Sequence, residues 1–170
     1  HAGFHFTADY EQRKQASLER LQRACVYAED KGVHLLLENM NREPADAEVN
    51  YLGYTREECA FYFDHLKSPN LHWTFTINHA TLVPEGIDGF IDAFGIERMR
   101  EVRVADNLAD KEHHMFPGQG SIDFRALFLR LEGLGYTGHY TNGFGTLDDM
   151  IRGRDYLVAE AKAAGVLSAQ

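Results

Sequence analysis

Apolar and polar residues follow two periods along this chain, about 3.6 in long stretches and about 2 in short ones, and the two kinds of stretch take turns. His1 to Thr7 (HAGFHFT) has neither period and reads as a short loop. From about Tyr10 to Lys31, Leu18, Leu21, Cys25 and Ala28 recur at helical spacing and predict a long helix that Gly32 stops. Gly32 to Asn41 (GVHLLLENMN) is an apolar run short enough for a buried parallel strand, and it ends abruptly in Glu38, Asn39 and Asn41. In a strand, His34, Leu36 and Glu38 share one face while Val33, Leu35 and Leu37 share the other. A polar loop from Arg42 to Tyr54 follows, long enough to suspect function. Thr55 and Glu58 read as a capping box for a second helix lined by Cys59, Phe63 and Leu66, which Ser68-Pro69-Asn70 ends.

Leu71 to Ile77 (LHWTFTI) alternates cleanly and predicts a second strand, with Leu71, Trp73, Phe75 and Ile77 on one side and His72, Thr74 and Thr76 on the other. Past Pro84, a helix is expected near Gly86 to Phe94, then a strand over Met99 to Ala105 running into Asp106 and Asn107. The segment Leu108 to Gln119, with His113, His114 and Gly118, reads as a loop. Asp123 to Leu134 is helical, Gly138 to Asn142 is a short fourth strand, and Thr146 with Asp149 caps a last helix reaching about Ala164. A leading helix followed by four strand–helix units, with no hairpin signal, predicts one α/β domain over residues 1–170 built on a parallel sheet.

In such a sheet every strand delivers its last residues to one common edge. Glu38, Thr76 to His79, Arg103 to Asn107 and Asn142 should therefore converge, and His114 can join them from its loop. Taken singly each has a plainer meaning, a strand or helix cap, a turn or a solvated side chain; it is the convergence of four strand ends that favours a site. Gly118-Gln119-Gly120 and Gly143-Phe144-Gly145, each just before a helix, could offer backbone amides to an anion, though a glycine-rich turn into a capped helix is the commoner meaning.

Composition narrows the classes. At 170 residues, 44% hydrophobic and 25% charged, the chain can bury an ordinary core. A formal charge of −9 with 17 Lys and Arg argues against a nucleic-acid partner, which needs a clustered basic face. No stretch reads as a membrane span or a signal peptide, so no membrane partner is expected. Cys25 and Cys59 fall on apolar helix faces and read as buried thiols in a reducing, cytoplasmic setting. The first residue is His1, without an initiator Met, as in a processed, trimmed or partial chain.

The segments GVHLLLEN, TFTINHA, VRVADN followed by HHMFPGQGSIDF, and GYTGHYTN resemble the sugar isomerase/epimerase (xylose isomerase-like) (β/α)8 barrels, a superfamily that includes endonuclease IV-type enzymes. The likeness covers almost the whole chain. His1-Ala2-Gly3 resembles the loop after the fourth barrel strand, so the resemblance implies that strands five to eight are present here. It also implies one divalent metal (Mn, Mg, Zn or Co), held by a Glu, an Asp, a His and a second Glu at the strand ends, with the two Glu shuttling a proton between sugar carbons. Carried over residue by residue, those positions fall on Glu38, Thr76, Arg103 and Asn142, so three of the four are substituted. His79, Asp106 and His114 match secondary positions.

A pocket with Glu38, Thr76, Arg103 and Asn142 is nearly neutral and its guanidinium repels a cation, so no metal is assigned to it. Arg103 in the metal's place is expected to pair with Glu38 and to fork onto a sugar hydroxyl, carboxylate or phosphate. The resemblance then implies an isomerase or epimerase acting on a small sugar or polyol by proton transfer next to a carbonyl. In that reading Glu38 is the base, His79 or His114 the acid partner, and Asn39, Thr76, Arg103, Asp106 and Asn142 bind substrate. The alternative is a metal-free, catalytically degenerate carbohydrate-binding or structural relative; an endonuclease is opposed by the acidic balance and the missing ligands. A full barrel of this type takes about 250 residues, so either roughly 80 to 100 further N-terminal residues or a second copy of the chain is expected to complete it. An unclosed sheet would expose its edge strand and an apolar interior.

Overall fold

Gly32, in the left-handed region at φ 64°, ends the first helix, and the two amides that follow turn back onto it. Gly32 N donates to Glu29 O and Val33 N to Ala28 O, a Schellman closure that only a residue without Cβ enters cheaply. The strand predicted from Gly32 therefore begins at Leu35. The computed structural model describes residues 3–5 and 7–167. His1 and Ala2, on which part of the expected likeness to a fourth-strand exit falls, lie outside them.

The elements in chain order are β1 (Gly3–His5), α1 (Tyr10–Lys31), β2 (Leu35–Glu38), β3 (Val49–Tyr51), α2 (Arg56–His65), β4 (Leu71–Thr76), α3 (Ile77–Ala80), α4 (Gly86–Phe94), β5 (Met99–Val104), α5 (Phe124–Gly133), β6 (His139–Asn142) and α6 (Leu147–Ala163). Among the described residues β2, β4, β5 and β6 form one four-stranded sheet in that order, and every pairing in it is parallel. The α/β reading and the strand–helix alternation hold. Two stretches read as loop differ: β1 and β3 pair antiparallel, Gly3 opposite Tyr51. Three-residue strands are too short for a period of two to register in the sequence.

The sheet's two faces are chemically opposite. Trp73, Phe75, Val102 and Val104 on β4 and β5 point into the helix layer and are almost wholly buried. There Phe63, Trp73, Phe75, Phe90 and Phe94 make a chain of ring contacts, with Trp73 and Phe75 centroids 4.6 Å apart and Phe63 and Phe94 5.2 Å apart. Full burial of side chains this size contributes about 1.5–3 kcal/mol each. The opposite face follows from the register, which aligns Glu38 with Thr74, Thr74 with Glu101 and Glu101 with His139, and above them Thr76 with Arg103 and Arg103 with Thr141. Leu36 is its apolar exception, 43% exposed. The expected apolar interior is thus a polar one.

The second helix is capped differently from expectation. Thr55 Oγ1 accepts from Glu58 N, but the Glu58 carboxylate turns to Gly53 N, Tyr54 N and the Tyr10 hydroxyl, tying α2 to the preceding loop and to α1. The full capping box is on α6, where Thr146 and Asp149 exchange both bonds. Cys25 and Cys59 are buried free thiols. No helix among the described residues is long and apolar enough to cross a membrane.

Candidate active site

Where β2, β4 and β5 end, the polar face opens into a cleft of about 390 Å³. Glu38 is its centre. Its Oε1 accepts from Thr76 Oγ1 at 2.6 Å and its Oε2 from Arg103 Nη1 at 3.1 Å. Arg103 Nε lies 3.5 Å from Glu101 Oε1, and Glu101 in turn accepts from Thr74 Oγ1 at 3.1 Å. Glu38 is 14% exposed and Arg103 48%, so one end of the guanidinium stays open to a ligand.

The facing wall comes from α3 and the loop after β5. His79 Nδ1 is 2.8 Å from the carbonyl oxygen of Asn39, which can only accept, so this nitrogen carries a proton. His79 Nε2 meets Glu112 Oε1 at 2.9 Å, and His114 Nε2 meets the same oxygen at 3.1 Å. The hydrogen bond from His79 holds the Glu112 carboxyl below its ordinary value against the opposing effect of burial. Glu38 Oε1 and His79 Nδ1 are 3.8 Å apart, so the two walls touch at the back of the cleft.

Glu38, Thr76, Arg103, His79 and His114 all line this cleft. Three residues expected to bind substrate do other work. Asn39 is buried and spends its amide on one peptide of the next strand, donating to Thr76 O and accepting from Thr76 N, both at 2.9 Å. Asp106 is fully buried and accepts from the backbone N–H groups of Asn107, Gly118, Gly120 and Ile122. Asn142 points to the helix side of β6, where it donates to Met150 O, and Thr141 and Gly143 line the cleft instead.

The glycine turns are also internal. The Gly118 and Gly120 amides expected to meet an external anion meet Asp106, and a Cβ on Gly120 would lie 2.3 Å from Asn107 O. At Gly143-Phe144-Gly145 the Asp149 carboxylate accepts from Thr146 N, so the α6 N-terminus supplies its own anion. Glu101 and Glu112 were not singled out in the sequence. Glu101 stands two residues before Arg103 and so shares its face, a signal that strand alternation carries; Glu112 sits in an aperiodic loop and has no such signal.

The metal position implied by the barrel resemblance does not fit these residues. Thr76 offers a hydroxyl already given to Glu38, Arg103 puts a cation on the same carboxylate, and Asn142 faces the other way.

A parallel sheet with its polar strand ends gathered at one edge defines an α/β protein of barrel type with a small-molecule cleft. The model of the xylose isomerase-like TIM barrel family matches residues 1–162, and the chain belongs to that family. It is 29% identical over 125 residues to L-ribulose 3-epimerase of Methylomonas sp. (strain DH-1), a match covering 74% of this chain and 40% of that protein. It is 24% identical over 123 residues to fructoselysine 3-epimerase of Escherichia coli O157:H7, covering 72% of this chain and 42% of the relative. Among solved structures, a D-tagatose 3-epimerase-like protein superposes with a TM-score of 0.82 at 22% identity, over 94% of this chain and 58% of that one. The chain thus spans well under two thirds of the length of these relatives.

Proposed function

We propose that this chain carries the sugar-handling half of an isomerase or epimerase site for a small ketose, polyol or sugar acid. The observation that carries the reading is Glu38, a carboxylate at the end of a barrel strand, facing an imidazole–carboxylate wall across a cleft of sugar size. In this reading Glu38 takes the proton from the carbon next to the substrate carbonyl, and the electron pair moves onto the carbonyl oxygen. Arg103 donates to that oxygen, and the wall formed by His79, Glu112 and His114 returns a proton to carbon. Substrate must first draw Arg103 away from Glu38 Oε2. The relatives named as sugar 3-epimerases support the substrate class.

A second reading is favoured by one feature: both Glu38 oxygens are already engaged, by Thr76 and by Arg103, as in a binding site that has given up turnover. Incubation with a panel of ketoses in D2O separates the two. Deuterium uptake at the carbon next to the carbonyl, removed by Glu38→Gln, supports catalysis; saturable sugar binding with no uptake from any ketose supports the binding protein. We further propose that the open edges at β2 and β6 are paired in the functional protein, by more units of the same fold or by a second copy, and that the protein works in a reducing compartment such as the cytoplasm, where Cys25 and Cys59 stay free.

A further inference from the structure

We infer that His34, His72 and Arg100 form a site for one small, doubly charged oxyanion of the phosphate type, on the polar face of the sheet at the end where its strands begin, opposite the Glu38 cleft. The three residues come from just before β2, from β4 and from β5, and they form a row. Arg100 Nε donates to His72 Nδ1 at 3.4 Å, and His72 Nε2 lies 2.9 Å from His34 Nδ1, with the two rings edge to face at 4.7 Å.

Arg100 is on this face because the sheet is irregular there. Trp73 pairs with Met99 and Thr74 with Glu101, which leaves Arg100 as the extra residue of a β-bulge. Counted back by twos from the buried Val104 and Val102, strict alternation would send Arg100 into the helix layer. The bulge puts Met99 there instead, 3% exposed, and aims the guanidinium at His72. Among the described residues the Arg100 side chain has no hydrogen-bond or ion-pair partner besides His72. Its neighbour Glu101 is committed to Thr74 and Arg103.

The protons of the row all run one way. A guanidinium only donates, so His72 Nδ1 is bare and the His72 proton sits on Nε2. That N–H donates to His34 Nδ1, which leaves the His34 proton on Nε2. Both exposed ends of the row are thus donors, the His34 Nε2–H and the Arg100 Nη groups, and among the described residues no acceptor meets them. An oxyanion supplies several acceptor oxygens at once, and arginine holds such a group in a fork. The charges acting on His72 are all positive. After burial, Arg100, His34 and Arg98, the last stacked on Phe63, hold its pKa below 6.5, and His139 stands on the same face beside Glu101. A bound anion relieves that repulsion and favours the protonated ring. The site needs neither Glu38 nor a substrate, so it stands apart from the proposed turnover.

The test is proton NMR of the histidine ring signals, assigned with His34→Ala and His72→Gln, during titration with sodium sulfate, which keeps both charges across the range in which imidazole titrates. At about pH 6.5 the His34 and His72 signals should shift saturably, and saturating sulfate should raise the pH at which His72 titrates. Inorganic phosphate should move the same signals. Arg100→Gln and His34→Ala, both at exposed positions, should each weaken binding read at His72 by about tenfold, as the loss of one charge-assisted hydrogen bond does. Arg103→Ala, in the cleft, should leave it unchanged. No saturable shift, an equal shift with sodium chloride at matched ionic strength, binding that survives both Arg100→Gln and His34→Ala, or binding lost in Arg103→Ala overturns the site.

Discussion

Arg103 on β5 reaches across the whole width of β4 to meet Glu38 on β2, with Thr76 held beneath the contact. The pair is unequal: the carboxylate is largely enclosed and the guanidinium is half in water. Removing the exposed partner should therefore cost more than neutralising the enclosed one. Arg103→Ala leaves a carboxylate without its counter-charge and is expected to destabilise by about 1 kcal/mol. Glu38→Gln keeps an acceptor for Thr76, leaves Arg103 half in water with Glu101 still beside it and should cost less than about half of that. Urea midpoints of the two variants measure the difference, and the reverse order would contradict it.

Asn39 should prove a fold residue. Asn39→Asp replaces the amide that donates to Thr76 O with an oxygen facing that carbonyl, at a buried position. A loss of about 2 kcal/mol or more is expected, close to that of Asn39→Ala, because either change strands a buried peptide group. If Asn39→Asp melts with the parent while sugar binding falls, the residue belongs to the ligand instead.

Gly120→Ala tests the Asp106 cradle. The new methyl would meet Asn107 O at 2.3 Å and Asp106 Oδ1 at 2.4 Å, both fixed atoms. The expected cost is about 1–3 kcal/mol, accompanied by faster proteolytic nicking within residues 108–119. Unchanged nicking would mean that the loop is held by something other than the cradle.

At the other end of the strands, Arg100 Nε–H donates to His72 Nδ1 at 3.4 Å, and His72 Nε2 lies 2.9 Å from His34 Nδ1. Burial first, and then the charge of Arg100, lowers the His72 pKa from its ordinary 6.5. Between the folded and unfolded values the unfolded chain binds more protons. The contribution is thus complete above about pH 6.5 and is lost as pH falls toward the folded value. Denaturation midpoints at about pH 7.5 and about pH 5.5 should show the drop, and His72→Gln should shrink it. An equal drop in parent and variant would assign the effect elsewhere.

The long periodic elements were legible in the sequence: α1 and α4 carry whole turns of apolar spacing, and Gly32 marks the end of α1. The Glu38–Arg103 contact was also legible, because parallel strands bring their last residues together whatever lies between. Asn142 was not, since a one-residue shift in a strand exchanges the two faces, and four residues of β6 hold too little pattern to exclude it. Asp106 escaped for another reason. A glycine-rich turn looks the same in sequence whether its amides await a visiting anion or already hold one of the chain's own.

The face that the sheet turns away from its helices is largely Thr, Glu, His and Arg where a barrel interior is ordinarily packed with branched aliphatic side chains. Covering it releases little free energy from expelled water, and any misplaced strand would trap a charge without its partner. If the sheet edges are paired as proposed, closure is selective rather than adhesive: an incoming strand must bring matching donors and acceptors, and a mismatched one has little reason to stay.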